Sequence, residues 1–294
     1  MIALNGILAP LVTPFQQSGD LDLEGFGRNV RAHLAAGCIG VVVTGSTGEA
    51  ALLDDGERNA LIERARTEVG GDRTLIVGTG SESTRATIAR SRAAAERGAD
   101  AVLVVAPHYY SDAMSPEALR QHYEQVADES PVPVLLYTIP KYMHFSLSPE
   151  LVAELAQHDN IIGMKDSSGN LEKLKETVAA VKPGFQVLSG AGVSFWDALQ
   201  SGASGAILAI ANALPYGCVT IWEAFRTREH EAGKDWQARL FPASKLIATK
   251  HGIPGLKHAM DLNGYYGGPP RLPFVPPSPA ARLEIEQAFD GLTS

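Results

Sequence analysis

Val134-Leu135-Leu136-Tyr137-Thr138-Ile139-Pro140, then Ile161-Ile162-Gly163-Met164-Lys165-Asp166, with Lys165 28 positions after Tyr137, are the stretches on which the reading of this chain turns. Each is a short, nearly continuous apolar run, the pattern of a strand buried on both faces. Each ends on one reactive side chain, a phenol and then an amine. A lysine at the mouth of an apolar strand is costly unless its amine is used, because burial disfavours the ammonium and lowers its pKa. A neutral amine can attack a ketone and form a Schiff base. A nearby tyrosine hydroxyl can shuttle the protons that carbinolamine formation and C–C cleavage require. The pair points to class I aldolase or lyase chemistry. The plainer alternatives are a core tyrosine and a lysine whose ammonium snorkels to solvent.

Working outward, similar runs recur at roughly thirty-residue spacing: Gly6 to Thr13, Gly40 to Thr44, Thr74 to Thr79, Ala101 to Ala106, Pro133 to Thr138, Ile161 to Lys165, Phe185 to Ser189 and Gly205 to Ala209. Helical segments separate them. Ser83 opens Thr84–Arg97, which closes on Gly98, and both Ser115-Pro116-Glu117 and Ser148-Pro149-Glu150 supply a cap followed by proline in the first turn. Eight strand–helix units predict an α/β fold, a (β/α)8 TIM barrel, over 1–212. The remaining 213–294 is read as the last barrel helix and a C-terminal helical extension of the same domain, with helices over Pro215–Arg228, His230–His251, Pro254–Leu262 and Pro279–Phe289. Gly264–Pro279 reads as a rigid irregular stretch. A doubly wound open sheet is the alternative, but no strand-linked Gly-x-Gly-x-x-Gly is present.

Composition narrows the function. A net charge of −8 and the absence of a basic stripe argue against nucleic acid as a partner. No run of about eighteen apolar residues predicts a membrane span, and Met1-Ile2-Ala3-Leu4-Asn5-Gly6 carries no signal-like core before the first strand. Two cysteines, Cys38 and Cys218, make no disulfide framework or metal pattern, so a reducing cytoplasm is expected. An anionic substrate would be repelled by the overall charge, and the site must supply local positive potential from amides, helix N-termini or a cation or two.

Barrel active sites lie at the C-terminal strand ends. After the second run comes Thr44-Gly45-Ser46-Thr47-Gly48-Glu49, a tight turn whose amides can hold a carboxylate while its hydroxyls donate or relay protons; a plain capped turn is the simpler reading. Glu49 is read as a helix-terminus or supporting residue. After the fourth run, Pro107-His108-Tyr109-Tyr110 offers two tyrosines and a loop histidine. Leu188-Ser189-Gly190-Ala191-Gly192 brings backbone to the mouth after the seventh, and the eighth ends in Ala209-Ile210-Ala211-Asn212. Ser167, Gly190 and Ile207 are further substrate-binding candidates. With no His-Glu-x-x-His, paired cysteines or Walker loop, no metal or nucleotide cofactor is implied; the expected covalent group is a Lys165 imine with substrate.

On the motifs Gly45-Ser46-Thr47-Gly48-Glu49, Tyr137 with Pro140, and Gly163-Met164-Lys165-Asp166, the sequence resembles the dihydrodipicolinate synthase/N-acetylneuraminate lyase family of Schiff-base barrels over essentially its whole length. The resemblance implies that Lys165 forms the imine with pyruvate or another 2-keto acid and that Tyr137 is the proton shuttle. It implies that Ser46 and Thr47 contact the pyruvate carboxylate and the relay. It implies that a tyrosine at 109 or 110, with Tyr110 favoured, reaches a neighbouring subunit's site in a homo-oligomer, dimer or tetramer. Gly80-Ser81-Glu82-Ser83-Thr84, Val126-Ala127-Asp128-Glu129-Ser130-Pro131 and Gly252-Ile253-Pro254-Gly255-Leu256-Lys257 through Gly264-Tyr265-Tyr266-Gly267-Gly268-Pro269 are similar to the 4-hydroxy-2-oxoglutarate aldolase branch.

One segment departs from that pattern: Thr138-Ile139-Pro140-Lys141-Tyr142-Met143-His144-Phe145 has Tyr142 where the synthases hold an arginine for the aldehyde substrate's carboxylate. A phenol cannot replace the two parallel bonds of a guanidinium, whereas Lys141 or His144 can offer a cation to a different distal group. The expected reaction is cleavage of a 4-hydroxy-2-oxo acid, of the 4-hydroxy-2-oxoglutarate kind, to pyruvate and an aldehyde, with Tyr137 polarised through Ser46 and Tyr110. The alternatives are a dihydrodipicolinate synthase-type condensation, a 2-keto-3-deoxy sugar acid aldolase or dehydratase, and a keto-acid-binding barrel without turnover.

Overall fold

The computed structural model describes Ile2 and residues 4–292. Met1 and Ala3 of the N-terminal stretch read above, and Thr293 and Ser294 at the end of the 213–294 segment, lie outside the described residues. Eight parallel strands close in chain order: β1 Ile7–Pro10, β2 Gly40–Val43, β3 Thr74–Gly78, β4 Ala101–Val105, β5 Val134–Thr138, β6 Ile161–Asp166, β7 Gln186–Ser189 and β8 Gly205–Ile207. Pairing of Ile7 with Ala206 and Leu8 with Ile207 shuts the barrel. Apart from β1, which ends at Pro10 where the expected run extends to Thr13, the strands fall within about two residues of the runs expected from sequence, which makes this the (β/α)8 barrel.

Alternation along each strand divides the core in two. Leu8, Val42, Ile76, Leu103, Leu135 and Leu188 pack inside the barrel, whereas their neighbours, such as Val41, Val43, Leu75, Val77, Val102 and Val104, pack outward under the helices. Leu136 and Met164 belong to the outer layer, so the next residues, Tyr137 and Lys165, turn inward at the strand ends. They stand opposite each other in the β5–β6 register. The two strands therefore deliver the phenol and the amine to one place.

The helices are α1 Leu23–Ala35, α2 Asp55–Glu68, α3 Thr84–Glu96, α4 Pro116–Glu129, α5 Pro140–Met143, α6 Pro149–Leu155, α7 Leu171–Ala180, α8 Phe195–Gln200, α9 Pro215–Arg226, α10 His230–Leu246, α11 Gly252–Leu262 and α12 Pro279–Phe289. The Ser83, Ser115 and Ser148 hydroxyls accept from the amides of Ala86, Ala118 and Leu151, as the cap signals require. The expected single helix over His230–His251 is instead interrupted: α10 ends at Leu246 and a π-helical turn spans Ile247–His251. Gly252, at φ +55°, then starts α11, two residues before the expected Pro254. Pro254 is tolerated there because first-turn amides have no partner within a helix.

Candidate active site

The strand ends enclose a cavity of about 170 Å³ lined by Lys165, Tyr137, Ser46, Thr47, Ser167 and Gly190, among others. Eight of the residues expected at the site, with Lys141 and Tyr142 among them, thus line one cavity. Lys165 is 6% exposed, and its Nζ lies 4.5 Å from the centre of the Tyr137 ring. Burial alone pushes its ammonium from 10.5 down to about 7. An amine so placed is substantially neutral near neutral pH, the state that attacks a carbonyl.

Burial pushes the Tyr137 phenol the other way, upward, while hydrogen bonding with Ser167 and Ser46 pulls it partly back. A phenol that keeps its proton and sits between two hydroxyls is suited to giving that proton away and regaining it. The position of Ser167 depends on glycine: a Cβ at Gly190 would lie 1.9 Å from the Ser167 hydroxyl oxygen.

The turn after β2 is strained at both ends. Thr44 has φ 51° and Glu49 φ 56°, a conformation that costs a non-glycine residue and that clusters at functional sites. Inside it the amides of Gly48 and Glu49 donate to the carbonyls of Gly45 and Ser46, and Ala50 donates to Gly45 as well. Those amides are therefore occupied, and the groups presented to the cavity come from Ser46 and Thr47. Gly45 contributes through the turn and does not line the wall.

The distal residues divide between two spaces. Lys141 and Tyr142 line the Lys165 cavity and also an adjoining space of about 620 Å³, where His144 lies. Lys141 Nζ donates to the Ala248 carbonyl at 2.8 Å and sits 5.7 Å from the Tyr142 ring centre. Ile207 belongs, like Tyr137, to the inner barrel core and does not line the cavity. Tyr110 is not brought to Tyr137: it is 70% exposed, edge-on to Tyr109 at 5.0 Å, with Tyr109 76% exposed. Strand-end reasoning missed the far wall, made by Ile247, Ala248, Gly252, Ile253 and Leu256 of the π-turn and α11. No local signal marks those apolar residues as cavity lining.

A buried, proton-poor lysine and a phenol at adjacent strand ends of a closed parallel barrel are the furnishings of a class I aldolase. The family model described as "Dihydrodipicolinate synthetase family" matches residues 3–291. A protein of Exiguobacterium sp. named "4-hydroxy-tetrahydrodipicolinate synthase" is 34% identical over 286 residues, 97% of each chain. One of Emericella nidulans named "Probable 4-hydroxy-2-oxoglutarate aldolase, mitochondrial" is 37% identical over 289 residues, 97% of this chain and 93% of that one. The crystal structure of dihydrodipicolinate synthase DapA-2 from Bacillus anthracis superposes with a TM-score of 0.95 at 28% identity, over 99% of both chains. The chain belongs to the dihydrodipicolinate synthetase family, and with it to the class I aldolases and lyases. Among the described residues no helix is long and apolar enough to cross a membrane.

Proposed function

We propose that this enzyme cleaves a 4-hydroxy-2-oxo acid resembling 4-hydroxy-2-oxoglutarate to pyruvate and an aldehyde. The observation that carries the reading is the cation set of the Lys165 cavity: among the described residues it is lined, besides Lys165, by Lys141 and by no arginine. A small second carboxylate at the distal end of the substrate would meet the Lys141 ammonium, with Tyr142 beside it.

In the proposed sequence the neutral Lys165 amine adds to C2 of the substrate, oriented by its carboxylate on the Ser46 and Thr47 hydroxyls. Tyr137 gives its proton to the carbinolamine oxygen, which departs as water and leaves an iminium and a phenolate. The phenolate then takes the C4 hydroxyl proton as the C3–C4 bond breaks. The bonding pair flows into the iminium, yielding the aldehyde and the pyruvate enamine. Protonation at C3 and hydrolysis release pyruvate and restore the amine. Tyr137 thus loses and regains one proton before the enamine stage, which suits a phenol held neutral by burial.

Tyr110, or Tyr109 beside it, is proposed to serve the site of a second copy, since both rings project from their own chain. On this reading the enzyme is a homo-oligomer, 213–294 belongs to the same domain as the barrel, and the cytoplasm, where the buried thiols of Cys38 and Cys218 stay reduced, is its compartment. The synthase names of several relatives favour a second reading, condensation of pyruvate with an aldehyde. The test is pyruvate release from 4-hydroxy-2-oxoglutarate, coupled to lactate dehydrogenase, run against condensation of pyruvate with aspartate semialdehyde. Release without condensation is the expected result; condensation without release would overturn the proposal in favour of the synthase.

A further inference from the structure

Lys257 and Glu49 are 1% and 2% exposed and form an ion pair inside the protein. The other two ammonium hydrogens are taken by the carbonyls of Thr13 at 2.8 Å and Pro269 at 3.0 Å. The second carboxylate oxygen of Glu49 accepts from the Arg271 amide at 3.1 Å. A buried pair of this kind is a poor source of stability, because desolvation offsets the attraction and apolar replacements are often neutral or better. Its position suggests what it is for. Glu49 ends the turn that presents Ser46 and Thr47, and its own amide donates to the Ser46 carbonyl. Thr13, whose carbonyl holds Lys257, donates its hydroxyl to the Gly48 carbonyl at 2.7 Å. The other strained end of the turn, Thr44, is held by its hydroxyl on the Gly78 carbonyl at 2.9 Å. Lys257 follows Leu256 on the helix whose first turn and flank wall the Lys165 cavity.

We propose that the Glu49–Lys257 pair is a positioning device by which α11 of the C-terminal extension sets the Ser46–Thr47 turn against the carboxylate of the keto acid. This rests on the reading of Ser46 and Thr47 as the carboxylate contacts. With the pair intact, left-handed Glu49 is held from α11 and from the 269–271 segment at once, so the two hydroxyls keep one position relative to Lys165. Without it the turn can relax toward an unstrained backbone, and the carboxylate end of the substrate loses its register while Lys165 is untouched.

The test is borohydride trapping of full-length protein over a range of pyruvate concentrations, with thermal melts alongside. The variants are Glu49→Gln, which keeps an acceptor for Lys257, and the double variant Glu49→Leu/Lys257→Met, which removes both charges; Thr47→Val is the control for carboxylate contact. Both pair variants are expected to melt cooperatively and to need about tenfold more pyruvate or more for half-maximal trapping, a misplacement effect, with full trapping at saturation. Half-saturation unchanged in folded variants would overturn the proposal. So would loss of cooperative melting in both, since the pair would then be a requirement of the fold alone. If wild-type protein takes no adduct, or Thr47→Val leaves half-saturation unmoved, the underlying reading of the site fails, and the proposal with it.

Discussion

Lys165→Met isolates the cost of keeping an amine inside the barrel. The substitution replaces the amine by an unbranched apolar chain of similar length in a cavity where Lys165 is 6% exposed. Burial lowers the ammonium from 10.5 to about 7. At ~1.4 kcal/mol per pKa unit this sets the penalty of folding around a charged Lys165 at about 5 kcal/mol, present in full below pH 7. The sign follows from proton counting. Between about pH 7 and 10.5 the folded amine is neutral while the unfolded one is still protonated, so the unfolded state binds more protons and wild-type stability rises with pH. Methionine has no such dependence. Urea unfolding of both proteins from pH 6 to pH 9 should therefore find Lys165→Met the more stable, with an advantage that shrinks by about 2 kcal/mol between pH 7 and pH 9. A variant less stable than wild type, or an advantage that does not change with pH, would refute the claim that the amine is held against its solvation.

Three other outcomes follow from the same geometry. Tyr137→Phe should lower turnover by about 10²–10⁴-fold, the range of a lost acid–base group, while borohydride still traps part of the imine; unchanged turnover would remove the phenol from the mechanism. Lys141→Met should raise KM for 4-hydroxy-2-oxoglutarate by about ten- to a hundredfold, the worth of a hydrogen bond to a charged group, and leave pyruvate trapping alone; equal effects on both would place Lys141 elsewhere than at the distal carboxylate. Gly190→Ala should drive Ser167 off its present position, since the new Cβ would stand 1.9 Å from its hydroxyl oxygen, and lower turnover about tenfold or more. Wild-type turnover in a folded Gly190→Ala protein would show that Ser167 has no part in setting Tyr137.

Much of this architecture is legible locally. Strands buried on both faces leave unbroken apolar runs, and capping needs one hydroxyl at one position, so the barrel and the Ser83, Ser115 and Ser148 helix starts can be read residue by residue. Tyr137 and Lys165 can be found because strand alternation and strand ends are properties of short segments. What could not be read depends on contacts distant in sequence. Lys257 meets Thr13 across 244 positions, and Lys141 meets Ala248 across 107. Nothing in Ile247-Ala248-Thr249-Lys250-His251 separates a π-turn from continued α-helix, so the break after Leu246 has no signature in the local sequence. Locally Glu49 reads as a residue for a helix terminus because its acid is useful there; a lysine more than two hundred residues away makes it half of a buried ion pair instead.

The most direct test of the account is where pyruvate becomes covalently attached. Wild-type protein treated with pyruvate and borohydride, then digested and mapped by mass spectrometry, should carry a single reduced adduct on Lys165, absent without pyruvate and absent in Lys165→Ala. An adduct on another lysine, an adduct that survives Lys165→Ala, or none at all would contradict the imine on which the proposed chemistry depends.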